Sequence, residues 1–382
     1  MIRIRTSPKN YNKYSLKRNP FPYVGVPDKP LTIFVNRRME IKTLEEVLSG
    51  ALSGISSHAA LVGSYGNGKT AMLRLIEYEI EKQSEDVVAI YLASPGGSLL
   101  NLYNNFIYEL GLDRMESFVW RYLELVNNTT DLMKKIENGE ILITEIIEAG
   151  KRHLFKEIRY TDFATAFLKI TLEETKFLSW KYLCAEPIVY DQRRELDVVT
   201  LIDTDEKALR AFMCLRKILK ILGYRLVCLL IDEFEAVELL HPWKKQRVLN
   251  DIRRLIDLNP SGLCIMLACA PEAWNSIISE YHAFSERIFR EVVLKPLERD
   301  DLRSLVVEHL NLARFDNPHP SSAVYPFTEE ALDVIYKAAV GNIRRILMIC
   351  NRAIDRGSEE GFPVLTVERI KKLLPEVFGV VP

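Results

Sequence analysis

The chain has 382 residues, enough for two to three domains with a large buried core, and its 48% hydrophobic and 27% charged residues are ordinary for a soluble globular protein. Its formal net charge of −1 argues against a protein that binds polyanions over its whole surface but does not exclude local basic patches. No window approaches 18 uninterrupted apolar residues, no apolar segment follows the basic N-terminus, and the six cysteines form no C-x-x-C pair, so we predict a cytoplasmic protein with reduced core cysteines, no signal peptide and no membrane contact.

The first 19 residues differ in character from the rest of the chain. They interleave Tyr11 and Tyr14 with six basic residues and contain no acid, and the basic residues are Arg3, Arg5, Lys9, Lys13, Lys17 and Arg18. Such a segment can pair with phosphates and stack on bases. The alternative is a solvated, partly ordered tail.

The stretch LVGSYGNGKTAML (61–73) is an apolar run followed by a glycine-rich loop and a helix, and its spacing Gly63-x-x-x-x-Gly68-Lys69-Thr70 fits the P-loop. Backbone N–H groups of such a loop and the positive end of the next helix face a phosphate chain. Lys69 is predicted to reach the β- and γ-phosphates and the Thr70 hydroxyl to ligate Mg²⁺. The alternative is a glycine-rich turn before a helix. The predicted ATP contacts are Gly63, Ser64, Tyr65, Gly66, Asn67, Gly68, Lys69, Thr70 and Ala71.

Further apolar runs predict the remaining strands of a sheet. They lie at 86–94, 225–235, 262–272 and 290–297, with helix-length segments such as 70–83 and 246–257 between them. Continuous apolar runs without alternation are typical of strands buried on both faces, as in a parallel sheet covered by helices. The pattern predicts an α/β doubly wound fold.

The run at 225–235 ends in Asp232 and Glu233, at the edge where α/β sheets bind ligands. Asp232 is predicted to hold the Mg²⁺ that Thr70 also contacts, the Walker B role. Glu233 is predicted to orient or polarise a water for in-line attack on the γ-phosphate. The alternative is that both carboxylates belong to a surface loop.

These motifs together resemble AAA+ ATPases of the initiator-like clade, which includes origin-recognition-type ATPases and the TniB/ExeA-type ATPases of transposition and secretion. NPFP (19–22) and FVNRRMEI (34–41) are similar to the segment that lines the adenine pocket in that clade. The resemblance therefore implies Phe34 and Arg37 as further ATP contacts. The usual form is F-x-G-R-x-x-E, and this chain has Asn36 in place of the glycine but keeps Arg37 and Glu40.

The C-terminal third carries the arginine motifs of the resemblance. SERIFREVVLKPLERDDL (285–302) is similar to the segment with the arginine finger, so Arg287 or Arg290 is implied as the finger, Arg287 following the family pattern more nearly. Residues 327–354 resemble the helical lid, and Gly341-Asn342-Ile343-Arg344 implies Arg344 as the sensor 2 arginine near the γ-phosphate. The alternative for each is a solvated surface arginine. LACAPEAW (267–274) resembles the end of strand 4, but Cys269-Ala270 stand where the family often has Asn or Thr, which weakens the expectation of strong hydrolysis.

The resemblance implies an AAA+ P-loop fold with a parallel five-stranded sheet, divided into a basic tail (1–19), a nucleotide-binding domain (20–296) and a helical lid (297–382). Residues at about 113–200 form an insertion with helical periodicity, predicted to bury a small core of its own. Its aromatics are Trp120, Tyr122, Phe163, Phe167, Phe177 and Trp180. From WKYLCAEPI (180–188) to the Walker B motif the chain is similar to ATP-binding proteins of BREX-type phage-defence systems. The alternative is an insertion that serves packing alone.

Two functions follow as hypotheses. The first is an ATP-binding and ATP-hydrolysing switch that forms homo-oligomers, acts on or near DNA, and recruits or remodels a protein partner through the insertion. The second is a nucleotide-gated scaffold with little turnover. Basic residues after Walker B are candidates for DNA contact, with a solvated helix face as the alternative, and they are Lys244, Lys245, Arg247, Arg253 and Arg254.

Overall fold

A computed structural model describes residues 10–22, 33–288, 290–315 and 321–378. The chain divides into two compact units. The first, which we call the P-loop unit, comprises Met1–Leu44, Leu61–Leu75 and Val292–Pro382, and the second, the insertion unit, comprises Glu45–Ala60 and Ile76–Glu291. None of the helices in the described residues is both long and apolar enough to cross a membrane.

Five strands form one sheet in the order β2-β3-β4-β1-β5. Their bounds are β1 (Ala59–Val62), β2 (Val87–Leu92), β3 (Leu226–Ile231), β4 (Leu263–Cys269) and β5 (Arg290–Val293). Strands β2, β3 and β4 pair in parallel. The parallel five-stranded sheet predicted from the sequence is confirmed.

Strands β1 to β4 are buried along their whole length, as their apolar runs predict. Strand β5 differs, because only Val292 among its four residues is buried. This strand lies at the edge of the sheet and is shorter than the predicted run 290–297. The edge position alone does not account for this exposure, because β2 is the other edge strand and is buried along its whole length.

Helices account for most of the remaining described chain. The α-helices in chain order are α1 (Arg38–Leu52), α2 (Lys69–Gln83), α3 (Leu99–Leu110), α4 (Leu112–Val126), α5 (Leu132–Glu137), α6 (Ile143–Ile158), α7 (Thr161–Lys169), α8 (Lys176–Leu183), α9 (Tyr190–Leu196), α10 (Asp205–Ile221), α11 (Pro242–Leu258), α12 (Pro271–Glu280), α13 (His282–Ser285), α14 (Arg299–Asn311), α15 (Glu329–Ala339), α16 (Ile343–Glu359) and α17 (Val367–Phe378). Short 3₁₀ helices occupy Asn12–Tyr14 and Phe234–Leu239.

The C-terminal helices α14 to α17 share an apolar core with the N-terminal segment of the P-loop unit. Tyr14 and Leu16 are fully buried in that core, and the Tyr11 hydroxyl donates to the Asp355 carboxylate at 2.8 Å. Residues 10–19 are therefore not the tail predicted from their basic composition. Tyr14 and Leu16 help to anchor the segment, because burying each large side chain contributes roughly 1.5–3 kcal/mol. Residues 1–9 of the predicted tail lie outside the described residues.

The predicted insertion is helical and lies in the insertion unit, where it contains α4 to α9. Tyr122, Phe163 and Phe167 are buried, as expected for a small core. Phe177 is 72% exposed and contributes nothing to that core. Phe177 lies in the first turn of α8, and the buried residues of that helix are Ser179, Tyr182 and Leu183. Phe177 is therefore not on the buried face of α8.

His58, at the start of β1, provides a pH test of the insertion unit. Its Nδ1 accepts from the Ile265 amide at 3.0 Å, its Nε2 lies 3.0 Å from the Ser56 hydroxyl, and burial lowers its pKa to about 4. An unfolded chain takes up a proton on this ring near pH 6.5, whereas the folded chain does not. The neutral ring's stabilisation is thus full above pH 6.5 and lost as the pH falls toward 4.

We expect His58→Asn to weaken the dependence of stability on pH between 7.5 and 4.5. The Asn side-chain oxygen can still accept from the Ile265 amide but takes up no proton, so the wild type should lose about 2–3 kcal/mol more than the variant over this range. Urea unfolding followed by circular dichroism at both pH values measures the difference. His282→Asn, at an exposed position, is the control. If the free energy of unfolding fell by the same amount between pH 7.5 and 4.5 in the wild type and in His58→Asn, the assignment of a neutral buried ring would be contradicted.

Candidate nucleotide-binding site

The predicted P-loop joins the end of β1 at Val62 to the start of α2 at Lys69. Gly66 has φ = +86°, and a Cβ there would lie 2.5 Å from Asn342 Oδ1. A Cβ on Gly63 would lie 2.8 Å from the Leu294 carbonyl oxygen. Glycine is therefore required at both positions. At Gly66 the reasons are the positive φ and the Asn342 side chain, and at Gly63 the reason is the close approach of the Leu294 backbone.

Side chains within the loop fix its shape. The Lys69 ammonium is buried and donates to the Gly63 carbonyl at 2.6 Å. The Asn67 amide donates to the Leu294 carbonyl at 3.0 Å and is also buried. Thr70 and Ala71 lie in the first turn of α2, while Ser64 is exposed. The structure thus brings the predicted loop residues together at one helix N-terminus, where backbone N–H groups favour an anion.

The predicted sensor 2 motif contacts this loop directly. The Asn342 side chain donates to the Tyr65 carbonyl at 2.5 Å, and the Arg344 amide donates to the Gly66 carbonyl at 3.2 Å. The Arg344 guanidinium lies 4.4 Å from the centre of the Tyr65 ring and donates to its hydroxyl. In this structure Arg344 is therefore bound to a P-loop side chain, a partner that the motif did not predict.

An apolar pocket opens beside the loop, and every residue that lines it belongs to the P-loop unit. Phe34 and Arg37, the predicted contacts from the N-terminal segment, are among them. The others are Ile33, Val35, Asn67, Gly68, Ala71, Met72, Leu294, Leu297, Leu305, His309, Ile343 and Leu347. The sequence did not predict a place in this pocket for Ile33, Met72, Leu294, Leu297, Leu305, His309 or Leu347. Each is an apolar or histidine position with no signal of its own for ligand binding.

The N-terminal segment is tied to the pocket wall through Arg37. Its guanidinium pairs with the Glu40 carboxylate at 3.0 Å and donates to the Lys295 carbonyl. Both hydrogen-bond partners of the Arg37 guanidinium belong to the protein. Arg37 therefore shapes the pocket by holding its wall together. Asn36 has φ = +53°, in the left-handed region that glycine favours and asparagine tolerates. This explains how Asn36 replaces the usual glycine of the motif.

The predicted Walker B carboxylates lie in the insertion unit at the end of β3. Asp232 is buried, and its Oδ2 accepts from the Tyr91 hydroxyl of β2 at 2.9 Å while its Oδ1 accepts from the Glu233 amide at 2.8 Å. Glu233 is exposed and has φ = +45°, an uncommon conformation that turns the chain away from the strand. The pattern missed Tyr91, because a tyrosine in an apolar strand has no distinguishing signal.

The carboxylate of another acid, Glu235, lies at the end of the neighbouring strand β4, although Glu235 itself belongs to the 3₁₀ helix after β3. Its carboxylate accepts from the Ala270 amide at 3.2 Å, next to buried Cys269. A polar group is thus present where the sequence has Cys269-Ala270 in place of Asn or Thr. It comes from the chain segment after β3, so inspection of residues 269 and 270 alone does not reveal it.

The two candidate finger arginines differ in their surroundings within the insertion unit. Arg287 pairs with Asp257 at 3.0 Å and with Glu286 at 3.2 Å. Arg290 is the first residue of β5 and is exposed. Arg287 is thus already engaged in ion pairs within this unit.

The basic residues after Walker B are mostly engaged within the insertion unit. Lys245 is buried and pairs with Glu238 at 2.8 Å and Glu280 at 2.9 Å. Arg247 pairs with Asp205, and Arg254 pairs with Glu206 and Asp251. The prediction that Lys245 contacts DNA is wrong, because its charge is used inside the fold. Lys244 stacks on the exposed ring of Trp243, with Nζ 5.6 Å from its centre.

The proposed Mg²⁺ ligands, Thr70 and Asp232, offer a hydroxyl and a carboxylate oxygen, the donor types that Mg²⁺ prefers. The described residues contain no group of three or more His, Cys, Asp or Glu side chains placed to hold a metal ion. Mg²⁺ usually keeps waters and substrate phosphates as its other ligands, so each of these two side chains is a donor type suited to it.

Comparison with known proteins supports the fold. Residues 163–320, less than half of the chain, match the family model of the BREX system ATP-binding protein BrxC/D. An uncharacterized HTH-type transcriptional regulator of Methanocaldococcus jannaschii is 22% identical over 374 residues, covering 95% of this chain and 73% of the relative.

Two solved structures from Aeropyrum pernix are similar over nearly the whole chain. The ORC2 protein, in ADPNP–ADP complexes, has a TM-score of 0.56 and 15% identity and covers 96% of this chain and 73% of its own. The ORC1 protein in complex with DNA has a TM-score of 0.50 and 16% identity and covers 92% and 68%. The chain therefore has the AAA+ fold seen in the ORC proteins and, over residues 163–320, is similar to the BREX ATP-binding proteins BrxC/D.

Proposed function

We propose that this protein is an ATP-binding and ATP-hydrolysing AAA+ switch that forms homo-oligomers and acts on or near DNA. One observation carries the proposal. A loop with P-loop spacing lies at the N-terminus of α2, and a largely apolar pocket opens beside it in the same unit. The solved ORC2 structure contains ADPNP and ADP, which supports a nucleotide as the ligand.

The residues divide into roles by their chemistry. Lys69 and the backbone from Gly63 to Ala71 would bind the phosphates, and Thr70 and Asp232 would hold Mg²⁺. When bound, Mg²⁺ neutralises charge that develops on the phosphate oxygens. The Tyr91 hydroxyl, fixed on Asp232, would hold that carboxylate in one orientation. Arg344 would leave Tyr65 for the γ-phosphate, offering the oxygens a planar fork of donors.

Glu233 is proposed to orient the attacking water. Its carboxylate is exposed at the end of β3, and it has the backbone conformation that functional residues adopt at some energetic cost. Glu235 differs, since its carboxylate is bound to the Ala270 amide. The two acids thus allow a matched comparison.

We expect Glu233→Gln to keep ATP bound and to lower hydrolysis by at least about a hundredfold, the scale of losing a general base. Glu235→Gln is the control, because glutamine keeps an oxygen for the Ala270 amide, and its rate should stay within a few-fold of wild type. Steady-state phosphate release and equilibrium ATP binding measure the two properties separately. Turnover of Glu233→Gln at the parent rate would exclude Glu233 from this role.

Contact with DNA and with a protein partner are the further parts of the proposal. The DNA complex of the ORC1 protein, the name of the HTH-type regulator, and exposed Lys244 beside Trp243 support the first. The helical insertion, which carries exposed side chains such as Phe177 and Tyr190, supports the second. The test is the ATPase rate of the whole protein with and without duplex DNA, at two salt concentrations. Stimulation by DNA that fades with salt is expected.

A nucleotide-gated scaffold with little turnover is the second candidate function. Cys269 and Ala270 favour it, because they offer no side-chain amide or hydroxyl to a water molecule. Tight ATP binding without turnover, unchanged by DNA, would support the scaffold over the switch.

A further inference from the structure

His309 is a buried histidine in α14 that lines the apolar pocket beside the P-loop. Its exposed fraction is 2%, so neither ring nitrogen is satisfied by bulk water. The hydrogen bonds of the ring therefore have to come from the protein or from whatever occupies the pocket.

The protonation of the ring follows from its one protein partner. Nδ1 lies 2.9 Å from the Leu305 carbonyl oxygen. A carbonyl only accepts, so Nδ1 carries the proton. Burial lowers the pKa of His309, which keeps the ring neutral. Nε2 is then a hydrogen-bond acceptor, and it has no partner among the described residues.

Turning the ring over would not relieve this, because the ring would then lose the hydrogen bond from Nδ1 to the Leu305 carbonyl. Phe21 stacks on it with ring centres 5.5 Å apart and an interplanar angle of 13°. Phe21 is fixed in turn, because its amide donates to the Asn19 side chain at 3.1 Å and its carbonyl accepts from the Asn351 side chain. A buried acceptor without a donor is destabilising, and such groups are rare unless a ligand or water completes them.

We propose that the pocket opens around a bound adenine and that His309 Nε2, which is buried in this structure, then accepts a hydrogen bond from the exocyclic amino group of the base and so selects adenine nucleotides. The inference rests on the proposed function, in which this pocket holds the base. Adenine carries an amino donor at the position where guanine and hypoxanthine carry a carbonyl acceptor. An acceptor in the pocket attracts the first and repels the others.

The rest of the pocket supports this role for His309. Most of the lining is aliphatic or aromatic and recognises a base by shape alone. The Arg37 guanidinium is engaged by Glu40 and the Lys295 carbonyl, and Asn67 belongs to the phosphate loop. Sites that hydrogen-bond a ligand group discriminate against analogues that lack it more strongly than apolar sites do.

The test compares three triphosphates that differ at one purine position. ATP has the amino group, purine riboside triphosphate has hydrogen there, and inosine triphosphate has a carbonyl. For the wild type we expect binding of purine riboside triphosphate to be roughly five- to tenfold weaker than that of ATP, with inosine triphosphate weaker again. In His309→Phe, which keeps a ring against Phe21 but has no acceptor, ATP and purine riboside triphosphate should bind within about twofold of each other.

Inorganic tripolyphosphate distinguishes failure of the proposed nucleotide function from failure of base selection by His309. If the wild type binds neither ATP nor tripolyphosphate, the proposed nucleotide function fails. The wild type could instead bind ATP, purine riboside triphosphate and inosine triphosphate with equal affinity, or His309→Phe could keep the preference of the wild type for ATP. In either case His309 does not select the base, and the nucleotide function stands.

A measurement on the wild type guards against a variant that does not fold. Imidazole ¹⁵N NMR reports which ring nitrogen carries the proton, and the Nε2 resonance shifts when that atom accepts a hydrogen bond. We expect a proton on Nδ1 and an Nε2 shift with ATP that purine riboside triphosphate does not produce. A proton on Nε2, or identical spectra with both nucleotides, would overturn the proposal.

Discussion

Lys69→Ala is expected to abolish MgATP binding. Its ammonium is the main side-chain cation proposed for the β- and γ-phosphates, and hydrogen bonds from a charged donor to phosphate are about twice as strong as neutral ones. In the structure the same ammonium is buried against the Gly63 carbonyl at 2.6 Å, so it already lies inside the loop. Alanine leaves the loop with backbone donors alone. Titration calorimetry with MgATP measures the loss.

The control for this variant is Lys82→Ala, at an exposed position in the last turn of the same helix α2. Both changes remove one lysine from one helix, and only the first lies in the loop. Lys82→Ala should bind MgATP like the wild type. Thermal unfolding of both variants shows whether Lys69→Ala remains folded, which must hold for its binding result to count. Wild-type ATP affinity in folded Lys69→Ala would remove the P-loop assignment.

The parts of the candidate site that the sequence predicts are those whose residues are adjacent in the chain. The loop between β1 and α2 and the carboxylate at the end of β3 each follow from local rules, glycine conformation in one and strand burial in the other. The structure places Lys69 and Asp232 as those rules predict, at a helix N-terminus and at a strand end.

The parts that the sequence does not predict are pairings between distant residues. Two features distinguish His309, and both depend on tertiary structure. It stacks on Phe21, 288 positions earlier in the chain, and it lines a pocket built of five separate segments. In the sequence, Lys245 is one of several basic residues on a helix. Only the tertiary structure shows that it pairs with Glu238 and Glu280. A charge pattern gives the face of a helix but not what covers that face.

Loss of the finger arginine is expected to lower hydrolysis by ~10³-fold or more while ATP binding by isolated subunits stays nearly intact. In the proposed oligomer the arginine completes the site of a neighbouring subunit, so its own site keeps every residue that binds ATP. Arg287→Ala and Arg290→Ala are the two variants, because spacing alone does not choose between them. Phosphate release at saturating ATP, with binding measured in parallel, gives both quantities.

The ion pair between Arg287 and Asp257 supplies a control for stability. If Arg287 serves only the fold, Asp257→Ala should reproduce the effect of Arg287→Ala, since either change removes the same 3.0 Å contact. If Arg287 is the finger, Asp257→Ala releases the guanidinium from this contact, and hydrolysis should stay near the wild-type rate or rise. Exposed ion pairs contribute at most about 1 kcal/mol, so neither change should unfold the protein.

Mixing experiments test directly whether the site is shared. The finger variant and Glu233→Gln are each expected to be inactive alone, but in a mixed oligomer an intact Glu233 from one subunit can meet an intact arginine from the next. Activity should then partly return on mixing. Mixtures of Glu233→Gln with Arg287→Ala and with Arg290→Ala that both stay inactive, together with light scattering that shows only monomers in ATP, would exclude the shared site. A monomer that binds ATP but has no site shared with a neighbour would be left with its lid as the element that responds to nucleotide, through the contact of Arg344 with Tyr65.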